Sequence, residues 1–120
     1  SALSARIGGA NAQIKPGACI AGMAYGTVSS TILSMQFVSG VISTVTRTTT
    51  GRYLVTRSPA ASAVGDWTVL GSTGGNSAVL QIETTPGTQT TTTADIRFYN
   101  SSNALTDPNY FTLTVIDRVL

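Results

Sequence analysis

The chain has 120 residues, a formal charge of +2 and charged side chains at only 10%, against roughly 25% in an average soluble protein. That length excludes a multidomain enzyme, and with 20 Thr and 13 Ser the chain solvates its surface with hydroxyls in place of charges. A single Cys and no His leave it without the usual zinc and haem ligands, an imidazole base or an intrachain disulfide, so neither a metal nor another cofactor is expected.

In chain order, residues 1–17 (SALSARIGGANAQIKPG) are small and broken by Gly8, Gly9, Pro16 and Gly17. They read as an N-terminal arm or linker ahead of a domain over 18–120. Cys19, between Ala18 and Ile20, reads as a small buried apolar residue. From there Thr, Val, Ile and aromatic runs alternate with Gly, Pro, Asn and Asp punctuation, a strand pattern with almost no helical period. The expected strands lie near 18–25, 27–39, 41–48, 52–57, 66–72, 78–85, 92–100 and 109–117. About eight short strands imply an all-β antiparallel sandwich, a jelly roll being the expected form.

Strict alternation identifies the faces. Tyr53 and Val55 share one side of the fourth strand, with Arg52, Leu54 and Thr56 on the other. Trp67 and Val69 are the pair to bury in the fifth. Ala94, Ile96 and Phe98 belong to the core, opposite Asp95, Arg97 and Tyr99. In the last strand Phe111, Leu113 and Val115 face inward, leaving Tyr110, Thr112, Thr114 and Ile116 outside. Tyr110 and Ile116 make that outer face more apolar than water requires. A subunit contact would cover it; scattered exposure of two apolar residues is the plainer alternative. The loops are 57–66, 71–77, 85–93 and 100–109, with turn signals at Gly74–Gly75–Asn76 and Pro86–Gly87, while the Thr tract 90–93 leads into a strand.

Chemistry is scarce. Asp66, Glu83, Asp95, Asp107 and Asp117 form no short motif, and a glycosidase pair needs two carboxyls roughly 5–10 Å apart. Asp107 before Pro108 and Asn109 reads as a turn starter. Without His no Ser-His-Asp triad is possible, and GSTGG at 71–75 lacks the GxxxxGK[ST] pattern of a phosphate loop. The basic residues Arg6, Lys15, Arg47, Arg52, Arg57, Arg97 and Arg118 stand singly, so nucleic acid is not an expected partner. No apolar run reaches the ~18 residues of a membrane span. Recognition is what remains: the rings of Tyr99, Tyr110 and Trp67 and the amides of Asn100, Asn103 and Asn109 suit a neutral sugar. Core packing for Trp67 and turn formation for the Asn residues compete with that reading.

The stretches VISTVTRTTTGRYLVT at 41–56, DWTVLGS at 66–72 and TTTADIRFYNSSNALTDPNYFTLTVID at 91–117 resemble, in their order, a recurrent domain of bacteriophage tail-fibre and receptor-binding proteins. The resemblance covers about two-thirds of the chain and rests on strand and turn patterns. It implies a homotrimeric jelly roll like those of complement and tumour-necrosis-factor heads, carried on a virion appendage and joined to other virion proteins through the arm. It implies non-covalent attachment to a host-surface polysaccharide or outer-membrane protein, without catalysis. The family supplies no site motif. From the loops themselves, Tyr99, Asn100, Asn103 and Tyr110 are the expected receptor contacts, and Tyr110, Thr112, Thr114 and Ile116 the expected trimer contact. A purely structural virion part, a fibre knob, head fibre or capsid decoration, is the alternative.

Overall fold

The structure is a computed structural model that describes residues 17–74, 81–84 and 89–119. Residues 1–16 of the expected arm and the expected turns at Gly75–Asn76 and Pro86–Gly87 lie outside the described residues. Eight strands form: β1 (Gly17–Ser29), β2 (Ile32–Val38), β3 (Ile42–Thr49), β4 (Arg52–Arg57), β5 (Trp67–Gly74), β6 (Gln81–Thr84), β7 (Thr93–Tyr99) and β8 (Tyr110–Val119). They make two four-stranded antiparallel sheets, ordered β2-β1-β8-β5 and β3-β4-β7-β6, packed face to face. The eight-stranded antiparallel sandwich is therefore as the alternation requires.

Two boundaries differ from the pattern. The first turn is Ser30–Thr31 and not residue 26, because Gly26 stays in register between Phe111 of β8 and Met35 of β2. The fifth strand runs on to Gly74, since Ser72, Thr73 and Gly74 pair with Thr112, Phe111 and Tyr110. The tight turns Ser30–Thr31 and Thr50–Gly51 keep β1 beside β2 and β3 beside β4, so neighbours in sequence share a sheet. Pairing of the first strand with the last, β1 with β8, is the long-range contact that closes the molecule.

The core follows the alternation. Tyr53, Val55, Trp67, Val69, Ala94, Ile96, Phe98, Phe111, Leu113 and Val115 are all buried. Tyr53, Phe98 and Phe111 form a triangle of rings with centroids 5.3 to 5.5 Å apart that ties β4 and β7 to β8 across the sheets. Such aromatic pairs add about 0.5–1.5 kcal/mol each beyond the area they bury. Cys19 is exposed, contrary to its apolar surroundings in sequence. Its register partner is Asp117, in the terminal row at the open end of the sheet that Arg57 closes.

Gly40 (φ +63°) and Gly51 (φ +72°) occupy the left-handed region, and neither has room for a side chain. A Cβ on Gly40 would collide with the Ala21 carbonyl oxygen, and one on Gly51 would lie 2.6 Å from the Thr106 nitrogen. The β1–β2 turn places Ser30 (φ +49°) and Thr31 (φ +66°) in the same region, which suits the right-handed twist of a hairpin but strains a β-branched residue by about 1–2 kcal/mol. Glycine at Thr31 would relieve that strain at a cost of about 0.5–1 kcal/mol in unfolded-chain entropy. Thr31→Gly is therefore expected to raise the thermal midpoint by a few degrees, measured by circular dichroism, whereas Gly40→Ala is expected to lower it.

Candidate functional site

Every charge of the sandwich except Glu83 is paired with an opposite charge. Setting aside Arg6 and Lys15, five Arg and five acidic residues remain. Asp107 pairs with Arg47, Asp95 with Arg52 and Arg97, Asp117 with Arg57, and Asp66 with Arg118. Glu83 accepts the Tyr99 hydroxyl at 2.9 Å. Among the described residues no group of three His, Cys, Asp or Glu could hold a metal ion.

Two of these pairs close the ends of the core. At one end, called distal here, Arg47 lies beside Tyr53 in the core-facing row of the β3–β4 hairpin. It grips Asp107 through Nε at 3.1 and 3.2 Å and Nη2 at 2.8 Å. The Tyr53 hydroxyl (2.7 Å) and the Gly51 amide (2.9 Å) donate to the same carboxylate. Asp107 is thus the point at which the 100–109 loop is fastened under the hairpin, and not the start of a turn. Burial alone would raise its pKa, but hydrogen bonds from Arg47, Gly51 and Tyr53 outweigh that and hold it below the usual carboxylate range. Burial, then the Asp107 hydrogen bond, pushes the Tyr53 phenol well above its ordinary value.

At the other, proximal, end Arg57 is 4% exposed. It meets Asp117 of β8 through two parallel bonds of 2.6 and 3.0 Å, donates to the Pro59 carbonyl, and lies 5.0 Å above the Trp67 ring. Trp67 donates its Nε1–H to the Thr90 carbonyl at 3.0 Å. It is buried as the strand pattern requires and is unavailable as a sugar platform. Beside this pair lies a cleft of about 340 Å³ lined by Arg57, Pro59, Ala61, Ser62, Asp66 and Asp117 among others. Two carboxylates converge there, an arrangement that sequence spacing did not reveal, and each is held by an arginine.

The expected receptor contacts are divided between the two sheets. Tyr99 ends β7 on the outer face of the β3-β4-β7-β6 sheet, in line with Asp95 and Arg97. Asn100 turns its Oδ1 inward to accept from the Ser102 and Ala104 amides, and Asn103 supplies the left-handed residue of the same turn (φ +59°). Tyr110 begins β8 on the outer face of the other sheet, 5.8 Å from the Tyr25 ring. Tyr110, Thr112, Thr114 and Ile116 do share one row, as the alternation requires.

That row is the middle of a larger surface. Cross-strand register adds Ile20, Met23, Tyr25 and Phe37 on one side and Leu70 on the other. Ile20, Phe37 and Leu70 are more than half exposed, at 64%, 51% and 57%. Among its described residues, the row of β8 carries charge only at Arg118, on its proximal border. The opposite outer face carries Arg52, Asp95, Arg97, Glu83 and Tyr99 among threonines. Asp95 is nearly buried there, despite facing outward, because Arg52 and Arg97 close over it.

No protein-family model matches the chain, and no curated protein or solved structure matches it.

The Asp107 anchor has a measurable pH signature. Its carboxyl binds a proton more weakly folded than unfolded, where the pKa is about 3.9. Its stabilisation is therefore complete above that value and is lost as pH falls through the depressed folded pKa. Asp107→Asn leaves Arg47 unpaired and is expected to cost about 2–3 kcal/mol at neutral pH. Urea titrations of the two proteins should converge as the pH is lowered below about 4.

Proposed function

We propose that the chain is an attachment domain of a virion appendage that self-associates as a homotrimer and binds a host-surface glycan or outer-membrane protein. The contrast between the two outer faces carries the reading. An uncharged sheet surface with half-exposed Ile, Phe and Leu side chains exceeds what a monomer's surface needs. Covering it with further copies places Tyr110, Thr112, Thr114 and Ile116 in the trimer contact. The other sheet then faces outward, with Tyr99, Arg97, Arg52 and Glu83 held in fixed positions by their mutual bonds.

Because the five Arg and five acidic residues of the sandwich cancel, a neutral hydroxyl-rich ligand fits this surface better than a strongly charged one. Tyr99 offers a ring face, while Thr44, Thr46, Thr56 and Thr93 on the same outer face offer hydroxyls. Three weak sites on one rigid trimer can exceed single-site affinity by roughly 10²–10⁴.

One observation favours the purely structural alternative: the Asn100 side-chain oxygen is occupied in building its own turn, to which Asn103 contributes the left-handed backbone. The two readings separate experimentally. Leu70→Glu is expected to convert the trimer to a folded monomer by light scattering. Tyr99→Ala should leave the trimer intact and reduce binding to bacterial cells and their extracted polysaccharide by about tenfold, roughly one good stacking contact. A trimer that binds no such surface before substitution would leave the structural role.

A further inference from the structure

We infer that the trimer is joined through its backbone, with the β2 edge of one copy continuing onto the β5 edge of the next, so that three β2-β1-β8-β5 sheets form one closed twelve-stranded ring. This rests on the trimeric reading above and specifies how the copies meet.

The edges of the two sheets are treated differently. In the β3-β4-β7-β6 sheet, the edge strand β3 carries Arg47 and the edge strand β6 carries Glu83. Charge on an edge strand is an ordinary guard against unwanted strand addition. In the other sheet the edge strands are β2, ILSMQFV, and β5, WTVLGSTG. Neither contains a charge or a proline. Ile32 (68%), Phe37 and Val38 of β2 are exposed, and the outward-facing amides and carbonyls of both strands have no neighbouring strand among the described residues. Over Ile32–Val38 and Trp67–Gly74 the two edges of this sheet match each other in lack of charge.

Strand direction selects a second copy in the same orientation. Every pairing within this sheet is antiparallel, β2 with β1, β1 with β8 and β8 with β5. An even number of alternating strands leaves β2 and β5 pointing in opposite senses. When copies stand side by side with their axes aligned, as around a threefold axis, β5 of one therefore meets β2 of the next antiparallel without any reversal. Such a head-to-tail contact produces a ring when its rotation closes.

The sheet's own register gives the seam. Val38, Phe37, Met35 and Ser34 lie in the same cross-sheet rows as Gly71, Ser72, Thr73 and Gly74. Four rows are thus shared at zero stagger, and a slide along the strands engages more, as closing any barrel requires. The apolar outer face, continuous from Phe37 through Tyr25, Thr112 and Met23 to Leu70, then lines the inside of the ring.

A seam-specific substitution is available. Gln36 is the extra residue of a bulge in β2, since Tyr25 pairs with Phe37 and Gly26 with Met35. Proline is tolerated at bulges on edge strands but cannot support a further strand, and Gln36 belongs to none of the core positions. Gln36→Pro is expected to keep the wild-type circular dichroism and Trp67 emission while raising the concentration needed for assembly by at least about tenfold. Amide hydrogen exchange on the unsubstituted protein gives an independent reading. Relative to the Leu70→Glu monomer, amides of both β2 and β5 should gain protection together.

A trimer in which those amides exchange as they do in the monomer, or which withstands Gln36→Pro, would overturn the seam and leave the trimer standing. A dimer that protects β2 without β5 would overturn it in favour of twofold β2–β2 pairing. A wild-type protein that remains monomeric would overturn the trimeric reading and the seam with it.

Discussion

The fold depends on closing the two open ends of a thin sandwich, and arginine–aspartate pairs do this at both. A sandwich of four strands per sheet has little apolar depth, so its terminal core layers would be wet unless something large and well bonded covered them. Arg47 with Asp107 and Arg57 with Asp117 supply that cover. In each case a guanidinium from the β3-β4-β7-β6 sheet reaches toward β8 or the loop leading into it. Taking charges out of water is costly unless their remaining hydrogen-bonding capacity is met. Here it is met by the Tyr53 hydroxyl and the Gly51 amide at one end and by the Pro59 carbonyl and the Trp67 face at the other. Planar guanidinium groups suit this task, since lysine could neither form the paired bonds to Asp117 nor stack on the indole.

These end pairs also explain the small charge of the protein. With its acidic groups committed to arginines or to Tyr99, the sandwich has almost no free charge to place on a surface, and hydroxyls must solvate it. The consequence for function is direct. A face without charge inside its Arg118 border, where Ile20, Met23, Tyr25, Phe37 and Leu70 flank the Thr112 and Thr114 hydroxyls, gives up little by leaving water. A face built of bonded polar groups keeps its geometry when a ligand approaches. The division of labour between the two sheets thus has the same origin as the closure of the core.

Most of the fold was legible in the sequence, and the site was not, for one physical reason. Side-chain alternation is local: whether Phe111, Leu113 and Val115 point inward is set by the period of two within β8, and a single misplaced residue would reverse it. Arg47 and Asp107, by contrast, are 60 residues apart, as are Arg57 and Asp117. Nothing local distinguishes Asp107 in an Asn- and Pro-rich loop from a turn former. The equal numbers of Arg and acidic residues beyond position 16 were the available signal, and they show that pairing is possible without showing which partners meet. Cys19 failed for the complementary reason: its apolar neighbours describe the strand, while its exposure depends on where the other sheet ends.

The same distinction bears on how the copies would associate. Outer-face residues such as Tyr110 and Ile116 can be recognised from one strand, but whether a strand is an edge is a property of the whole topology. β2 is an edge because the chain leaves it at Gly40, where the Val41 amide bonds to the Ala21 carbonyl and carries the backbone across to the other sheet. β5 is an edge because β8, the last strand in the chain, is its one partner and takes the place between it and β1. Both edges are thus exposed by the long-range pairing that completes the sandwich, so a monomer must fold before either is presented.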